Sequence, residues 1–150
     1  MVNSYTSLFV HVIFSTQNRK PVLTSAVRDR LWPYVGGIAR ENKMKAVSVG
    51  GTADHAHLLI LIPPTSAVAK AVQLVKGGSS KWLHENFLSL RNFAWQEGYG
   101  AFSVGASQVD EVAVYIARQQ EHHRVKSFQE EYLAYLREYD VDYDERYVWG

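Results

Sequence analysis

Residues 52–64 read TADHAHLLILIPP. The run Leu58 to Ile62 is entirely apolar, and Pro63 and Pro64 close it. An uninterrupted apolar run of this length, ended by residues that cannot continue a sheet, is the pattern of a central strand rather than of a half-wet edge strand. The turn-forming residues Gly50-Gly51-Thr52-Ala53-Asp54 precede it, and MKAVSVG, residues 44–50, precedes them. These two segments are therefore expected to form an antiparallel hairpin, with 55–62 as its inner strand.

The rest of the chain is arranged around that strand. Residues 5–16, YTSLFVHVIFST, are β-branched and aromatic and read as a first strand. Thr24 or Ser25 can cap a helix running to about Asn42, with Val27, Leu31, Val35 and Ile38 at helical spacing, kinked at Pro33 and weakened by Gly36-Gly37. A second helix is expected from Thr65 or Ser66, with Val68, Val72 and Val75 on one face, interrupted at KGGSSKWLHENF. Residues 92–105 supply short strand pieces. A capping box from Ser107 to Asp110 opens a helix running from 108 to about 123, and a second box from Ser127 to Glu130 opens SFQEEYLAYLREY. The acidic, aromatic tail from 140 onwards has no assignment. The order βαββαβ followed by helices predicts an α+β fold, a ferredoxin-like (RRM-like) antiparallel sheet with helices on one face plus C-terminal tyrosine-bearing helices. One domain over residues 1–150 is expected, because no linker or repeat divides the chain.

Composition excludes several classes. No apolar run approaches the ~18–20 residues of a membrane span, and the N-terminus has no basic segment before its apolar part, as a signal peptide would. The chain has no cysteine, which excludes disulfides and thiolate metal sites and fits a reducing cytoplasm. Its formal charge of +1 singles out no partner. A nucleic-acid partner would require the basic residues to be clustered.

Alternation along a strand turns His55 and His57 to the same face and Ala56 to the other. Two neutral imidazoles side by side suit a divalent metal, and equally suit two hydrogen-bonded histidines at a strand end. In the helix from 108, the apolar stripe is Val109, Val112, Ala113 and Ile116, while Glu111, Tyr115, Arg118, Gln119 and His122 fall opposite. Tyr115 and Gln119 are four apart and so are neighbours on that face. Gln119 could complete a His-His-Gln site suited to Mg²⁺ or Mn²⁺, and Tyr115 could act as a nucleophile beside it or be a boundary aromatic.

The segments DHAHLLILIPP, KGGSSKWL, FAWQEGYGAFSV, VAVYIARQQEHH and YDERYVWG together resemble the single-tyrosine HUH transposases of the insertion sequence 200/605 type. The resemblance implies His55, His57 and Gln119 as metal ligands and Tyr115 as nucleophile on single-stranded DNA, with a 5′-phosphotyrosine intermediate and a free 3′-hydroxyl. It further implies a hairpin at the element end as substrate, and a homodimer whose tyrosine helices serve the partner's histidines. Gly105-Ala106 would be the hinge. Ala56 is a small residue for the middle position of the motif, and its side chain is expected to face away from the metal.

Asp54 could orient His55 or simply form the turn. His11 could approach the pair if its strand is adjacent. His122 or His123 could approach the metal or cap the helix. Arg19, Lys20, Lys43, Lys45, Lys70, Lys76 and Lys81 could meet a DNA backbone, and Trp82 or Trp95 could stack on a base. Three other functions fit parts of this pattern: a domesticated relative that processes palindromic repeats, a phosphodiesterase using water, and a non-catalytic RRM-like binding module. The strand Leu58 to Ile62 lacks the aromatic that such a module uses to stack bases.

Overall fold

A computed structural model describes residues 4–119 and 127–150. Its elements are β1 (Phe9–Ser15), α1 (Ser25–Glu41), β2 (Lys45–Gly51), β3 (His55–Leu61), α2 (Val68–Asn86), β4 (Gly100–Val104), α3 (Val109–Ala117) and α4 (Phe128–Glu138). The four strands form one sheet in the order β2-β3-β1-β4, with antiparallel neighbours throughout. This is the expected ferredoxin-like arrangement, and β3 is indeed an inner strand.

Period-two alternation sorts the sheet into two faces. Val12, Phe14, Ala56, Leu58 and Ile60 point to one face and pack against Leu31 and Val35 of α1 and Val72 and Val75 of α2. Ile13 and Phe102 point to the other and pack against Phe128, Tyr132 and Leu136 of α4. Leu59 and Val104 meet Ile116 of α3 on that same second face. The C-terminal helices thus cover the face that α1 and α2 leave open. His55 and His57 belong to it.

Local expectations met the structure unevenly. Thr24 caps α1, its side chain accepting from the Val27 amide. The helix runs unbroken through Pro33, which lies on its exposed side. The KGGSSK segment does not interrupt α2. A Cβ on Gly78 would lie 2.9 Å from Ile38 Cδ1, so the glycine lets α1 and α2 approach closely. Ser79 Oγ donates to the Val75 carbonyl and accepts from Trp95 Nε1, which satisfies a hydroxyl buried at that crossing. Trp95 is therefore a core residue and not a base-stacking surface. Trp82 stacks on Tyr34 in the helical layer.

The start of α2 is Val68, capped by Ala67 without a side-chain bond, rather than Thr65 or Ser66. The Ser107 box does not form either. Residues 106–108 make a 3₁₀ turn, and Gln108 precedes α3. The Ser127 box forms as expected, with Ser127 Oγ accepting from the Glu130 amide. Only Gly100–Val104 of the 92–105 segment joins the sheet as a strand, while Trp95 makes an isolated bridge to Thr16. The tail returns to the sheet: Trp149 packs beside Phe128 and Tyr132, and the Gly150 carbonyl accepts from the Gly98 amide and Gln96 Nε2. Among the described residues, no helix is long and apolar enough to cross a membrane.

Candidate active site

The register of β3 brings the histidines to their place. Ser15 of β1 pairs with His55, and Ile13 pairs with His57, so both imidazoles stand on the second face at one end of the sheet. Both are buried. His55 Nδ1 lies 2.8 Å from Asp54 Oδ1 and 2.9 Å from Thr52 Oγ1. Donation from Nδ1 to the carboxylate leaves the Nε2 lone pair facing inward. There it lies 3.3 Å from Gln119 Oε1 and 3.8 Å from Glu131 Oε1. Asp54 is thus both part of the turn and the partner of an imidazole.

His57 Nδ1 lies 2.8 Å from His11 Nε2, and its Nε2 lies 2.9 Å from Glu131 Oε1. Strand β1 is adjacent, so His11 does approach the pair. Burial, then the neighbouring His57, lowers the pKa of His11 to about 3, so it is neutral and offers one donor and one acceptor. One proton placement satisfies every contact of this relay: His57 donates from Nε2 to Glu131 and accepts from His11. In the other, His57 donates from Nδ1 to His11 and its Nε2 lone pair faces the carboxylate, two acceptors that a cation between them would satisfy. That placement gathers two imidazole lone pairs and a carboxylate around one locus.

Tyr115 is held here by a close helix–sheet contact. A Cβ on Gly50 would lie 2.6 Å from the Ile116 carbonyl, so only glycine lets α3 rest on β2 at this point. Ser48 Oγ donates to the Ala113 carbonyl at 3.1 Å beside it. The Tyr115 hydroxyl donates to Glu131 Oε2. Its ring lies edge-on to His57, with centroids 6.1 Å apart. Burial, followed by the hydrogen bond and the negative charge of Glu131, raises the phenol pKa well above its ordinary value.

The reading of α3 as two opposite faces needs correction. Glu111 and Arg118 are exposed as expected, but Tyr115 is half-buried beside the Leu59–Ile116 cluster and Gln119 is fully buried. Helix α3 ends at Ala117, where Arg118 leaves helical geometry with φ −107° and ψ 27°; residues 120–123 of the expected helix lie outside the described residues. That turn directs Gln119 back toward His55. His122 and His123 lie outside the described residues.

Glu131 was not among the candidates, although it touches both groups that were. A signal existed. Phe128, Glu131, Tyr132, Tyr135 and Leu136 occupy positions i, i+3, i+4, i+7 and i+8 of one helical stripe, and the carboxylate stands at a core position in it. It is buried, and its side chain shares a locus with His55 and His57: one ligand atom from each lies within 4.8 Å of the others. Two imidazoles and a carboxylate, with the Gln119 oxygen adjacent, are a donor set that fits a divalent cation.

The basic candidates divide by position. Lys20 is exposed, and Arg19 is half-buried with its guanidinium over Trp149; both lie in the loop that follows β1 at the histidine end of the sheet. Lys76 is turned inward, where its Nζ donates to the carbonyls of Gln96, Glu97 and Gly98. Burial lowers its pKa to about 8. Lys81 is exposed on α2, in the layer across the sheet from the histidines.

Fold and site together define a class: a ferredoxin-like sheet bearing an imidazole, carboxylate and phenol centre on the face away from its two long helices. Comparison with known proteins gives the class its family. Residues 4–119 match the family described as Transposase IS200 like, and the chain belongs to it. It is 28% identical to the ISDra2 transposase TnpA of Deinococcus radiodurans over 85 residues, which is 57% of this chain and 61% of that protein. It is 26% identical over 121 residues to the transposase for insertion sequence element IS200 of Salmonella typhimurium, covering 77% of this chain and 78% of the relative. Less than two thirds of the Deinococcus relative is therefore spanned. A crystal structure of a candidate transposase from Deinococcus radiodurans superposes with a TM-score of 0.67 at 25% identity, over 79% of this chain and 95% of that one. A REP-associated tyrosine transposase bound to a REP hairpin shares the fold, with a TM-score of 0.60 at 13% identity, over 82% of this chain and 73% of that one.

Proposed function

We propose that this chain is a transposase that cleaves and rejoins single-stranded DNA through Tyr115, assisted by a divalent cation, Mg²⁺ or Mn²⁺. The observation that carries this reading is the convergence of the Tyr115 hydroxyl and the inward Nε2 atoms of His55 and His57 on the single carboxylate of Glu131. His55, His57 and Glu131 would hold the cation, with the Gln119 oxygen beside them. A cation bound there would polarise a phosphate oxygen and offset charge developing on it. The protein's own residues do the rest. Asp54 and His11 fix the outer nitrogens of the two imidazoles. The Gly50 contact fixes the height of α3 over the sheet. Tyr115 presents an oxygen able to form a phosphodiester link to DNA, which conserves the bond for rejoining without another energy source. Arg19 and Lys20 would meet the DNA backbone at the same end of the sheet, with a hairpin at the element end as the bound form.

The test is incubation with end-labelled single-stranded DNA carrying the element's own end, with Mg²⁺ or Mn²⁺, read on a denaturing gel. A covalent protein–DNA band is expected from the wild type and should be absent in Tyr115→Phe, in His57→Ala and after chelation. Cleavage that persists in Tyr115→Phe would instead identify a phosphodiesterase using water. Tyr115 and His57 meet within one chain here, so a mixture of the two variants is expected to stay inactive. Activity restored by mixing would establish a dimer with exchanged tyrosine helices.

A further inference from the structure

We infer that a cavity at the histidine end of the sheet takes one unpaired base of the DNA strand, read by Gln17 and Asn92; this site rests on the function proposed above. The cavity measures about 170 Å³ and lies between the loop after β1 and residues 89–94, which follow α2. Its inner part is apolar, made by Val22, Leu90 and Phe93, and its rim carries Gln17, Lys20 and Asn92. An apolar bed under a few polar groups suits a nucleobase, which has two faces to cover and an edge to pair. The volume is below the ~300 Å³ at which sites for larger ligands begin, and fits a single ring system. The walls are already formed. The Gln17 amide donates to the Ala94 carbonyl at 2.9 Å, and Thr16 bridges to Trp95. Asn18 and Arg19 follow with φ of 57° and 55°, left-handed values that residues other than glycine adopt rarely, here two in succession. Thr16 Oγ1 and the Val22 amide hold that turn by donating to the Lys20 carbonyl, each at 2.8 Å.

Two features separate this cavity from an ordinary crevice. The first is unused hydrogen-bonding capacity. Among the described residues, the carboxamides of Gln17 and Asn92 have no hydrogen-bond partner. That of Gln96 uses both ends, accepting from the Ser15 amide and donating to the Gly150 carbonyl. A carboxamide presents a donor and an acceptor side by side, which matches the paired donor and acceptor on a base edge. The second feature is charge. Residues 16–22 and 89–95 include Arg19, Lys20 and Arg91 and no acidic residue. The phosphates on either side of a bound base would meet these cations. The site also adjoins the reaction centre. Thr16 donates its amide to the Asp54 carbonyl at 2.8 Å, and Asp54 Oδ1 lies 2.8 Å from His55 Nδ1. The Asp54 carboxylate is engaged by His55 and Thr52, so it is not left to repel a phosphate from the rim. A chosen base held here would fix the register of the strand against Tyr115.

The experiment measures binding in EDTA, without any cation, by fluorescence anisotropy. The probes are fluorescein-labelled single strands carrying the element's own end, intact or with one abasic site moved through the nucleotides that flank the cleaved bond. Wild type is expected to lose ~10-fold in affinity at one position, within the ~5- to 150-fold that stacking and edge contacts supply. The double variant Gln17→Ala/Asn92→Ala is expected to bind the intact strand ~10-fold more weakly. It should become indifferent to the abasic site at that one position and respond as wild type at every other. Both residues are exposed, and circular dichroism checks that the variant is folded. Coupling between one pair of side chains and one nucleotide is a readout that a general loss of structure would not reproduce. Lys20→Ala should instead weaken all strands alike and reduce the salt dependence. Equal weakening of every strand by the double variant, wild-type sensitivity retained at every position, or a wild type indifferent to every abasic site would each overturn the base site. Failure of the proposed reaction reads differently. A wild type that shows the sensitive position in EDTA yet forms no Tyr115 adduct with Mg²⁺ or Mn²⁺ would overturn the reaction and keep the site.

Discussion

The two faces of the sheet are built from the same four strands and follow opposite rules. The face under α1 and α2 is filled with aliphatic and aromatic side chains, and its buried polar groups, such as Ser79, are tied off locally. The face under α3 and α4 buries His11, His55, His57, Gln119 and Glu131 among a smaller set of apolar contacts. Interior polar groups are tolerated when each finds partners, and there they hold one another in place. The difference teaches a division of labour: one face carries the stability, and the other uses part of it to keep a reactive cluster dry and oriented.

That division can be broken deliberately. The largest effect is expected from Tyr115→Phe, which should reduce covalent adduct by at least ~10³-fold, as loss of a nucleophile does. Because the change also removes a hydrogen bond to the buried Glu131, the thermal midpoint, read by circular dichroism, should fall by a few degrees, ~3–6 °C. Leu58→Ala, on the opposite face of the same strand, should do the reverse. It is expected to lose ~2–5 kcal/mol in urea unfolding, while adduct per folded molecule is unchanged. A Leu58→Ala protein with normal stability and impaired chemistry would refute the comparison.

Gly50→Ala tests the join between the faces. The added methyl meets the Ile116 carbonyl and must lift α3, so adduct formation should fall by ~10-fold or more, since small misplacements of a reacting group are costly. The smallest effect concerns Lys76, which sits in the helical layer over the Phe14 ring. Its folded-state pKa, about 8, lies below the ordinary 10.5. Between those values the unfolded chain holds more protons than the folded one, so stability should rise with pH across that window. Urea midpoints measured from pH 7.5 to 11 should show the rise in wild type and a flatter profile in Lys76→Met.

Legibility in the sequence followed how local each signal is. The histidine pair, its shared face and the inner position of β3 follow from period-two alternation within a dozen residues. The βαββαβ order follows from segment composition. The failures needed tertiary information. Gly77 and Gly78 suggested a break in α2, yet the gain from close packing on Ile38 outweighs their ~1 kcal/mol helix penalty. Ser107 has the residues of a capping box, but the chain arrives there in a 3₁₀ turn. Tyr115 and Gln119 fall opposite the apolar stripe in sequence, yet Tyr115 packs against Glu131 and Tyr135 of α4 and Gln119 is buried beside His55. Glu131 is 74 positions from His57, and its neighbour Glu130 is the one that the capping pattern highlights.

The alternation that gathers the site also governs which changes in length the chain can absorb. Edge strand β2 already accommodates an irregularity, a register shift between Ala46 and Ser48 opposite β3. Strand β3 is paired on both sides and has no such freedom. One residue inserted at Ala56 would put the two histidines on opposite faces: either His55 turns toward α1 and α2, or His57 and Leu59 turn there while Leu58 and Ile60 turn away from them. Insertions and deletions in this segment are therefore tolerated only in pairs, and an odd one would remove core and chemistry together.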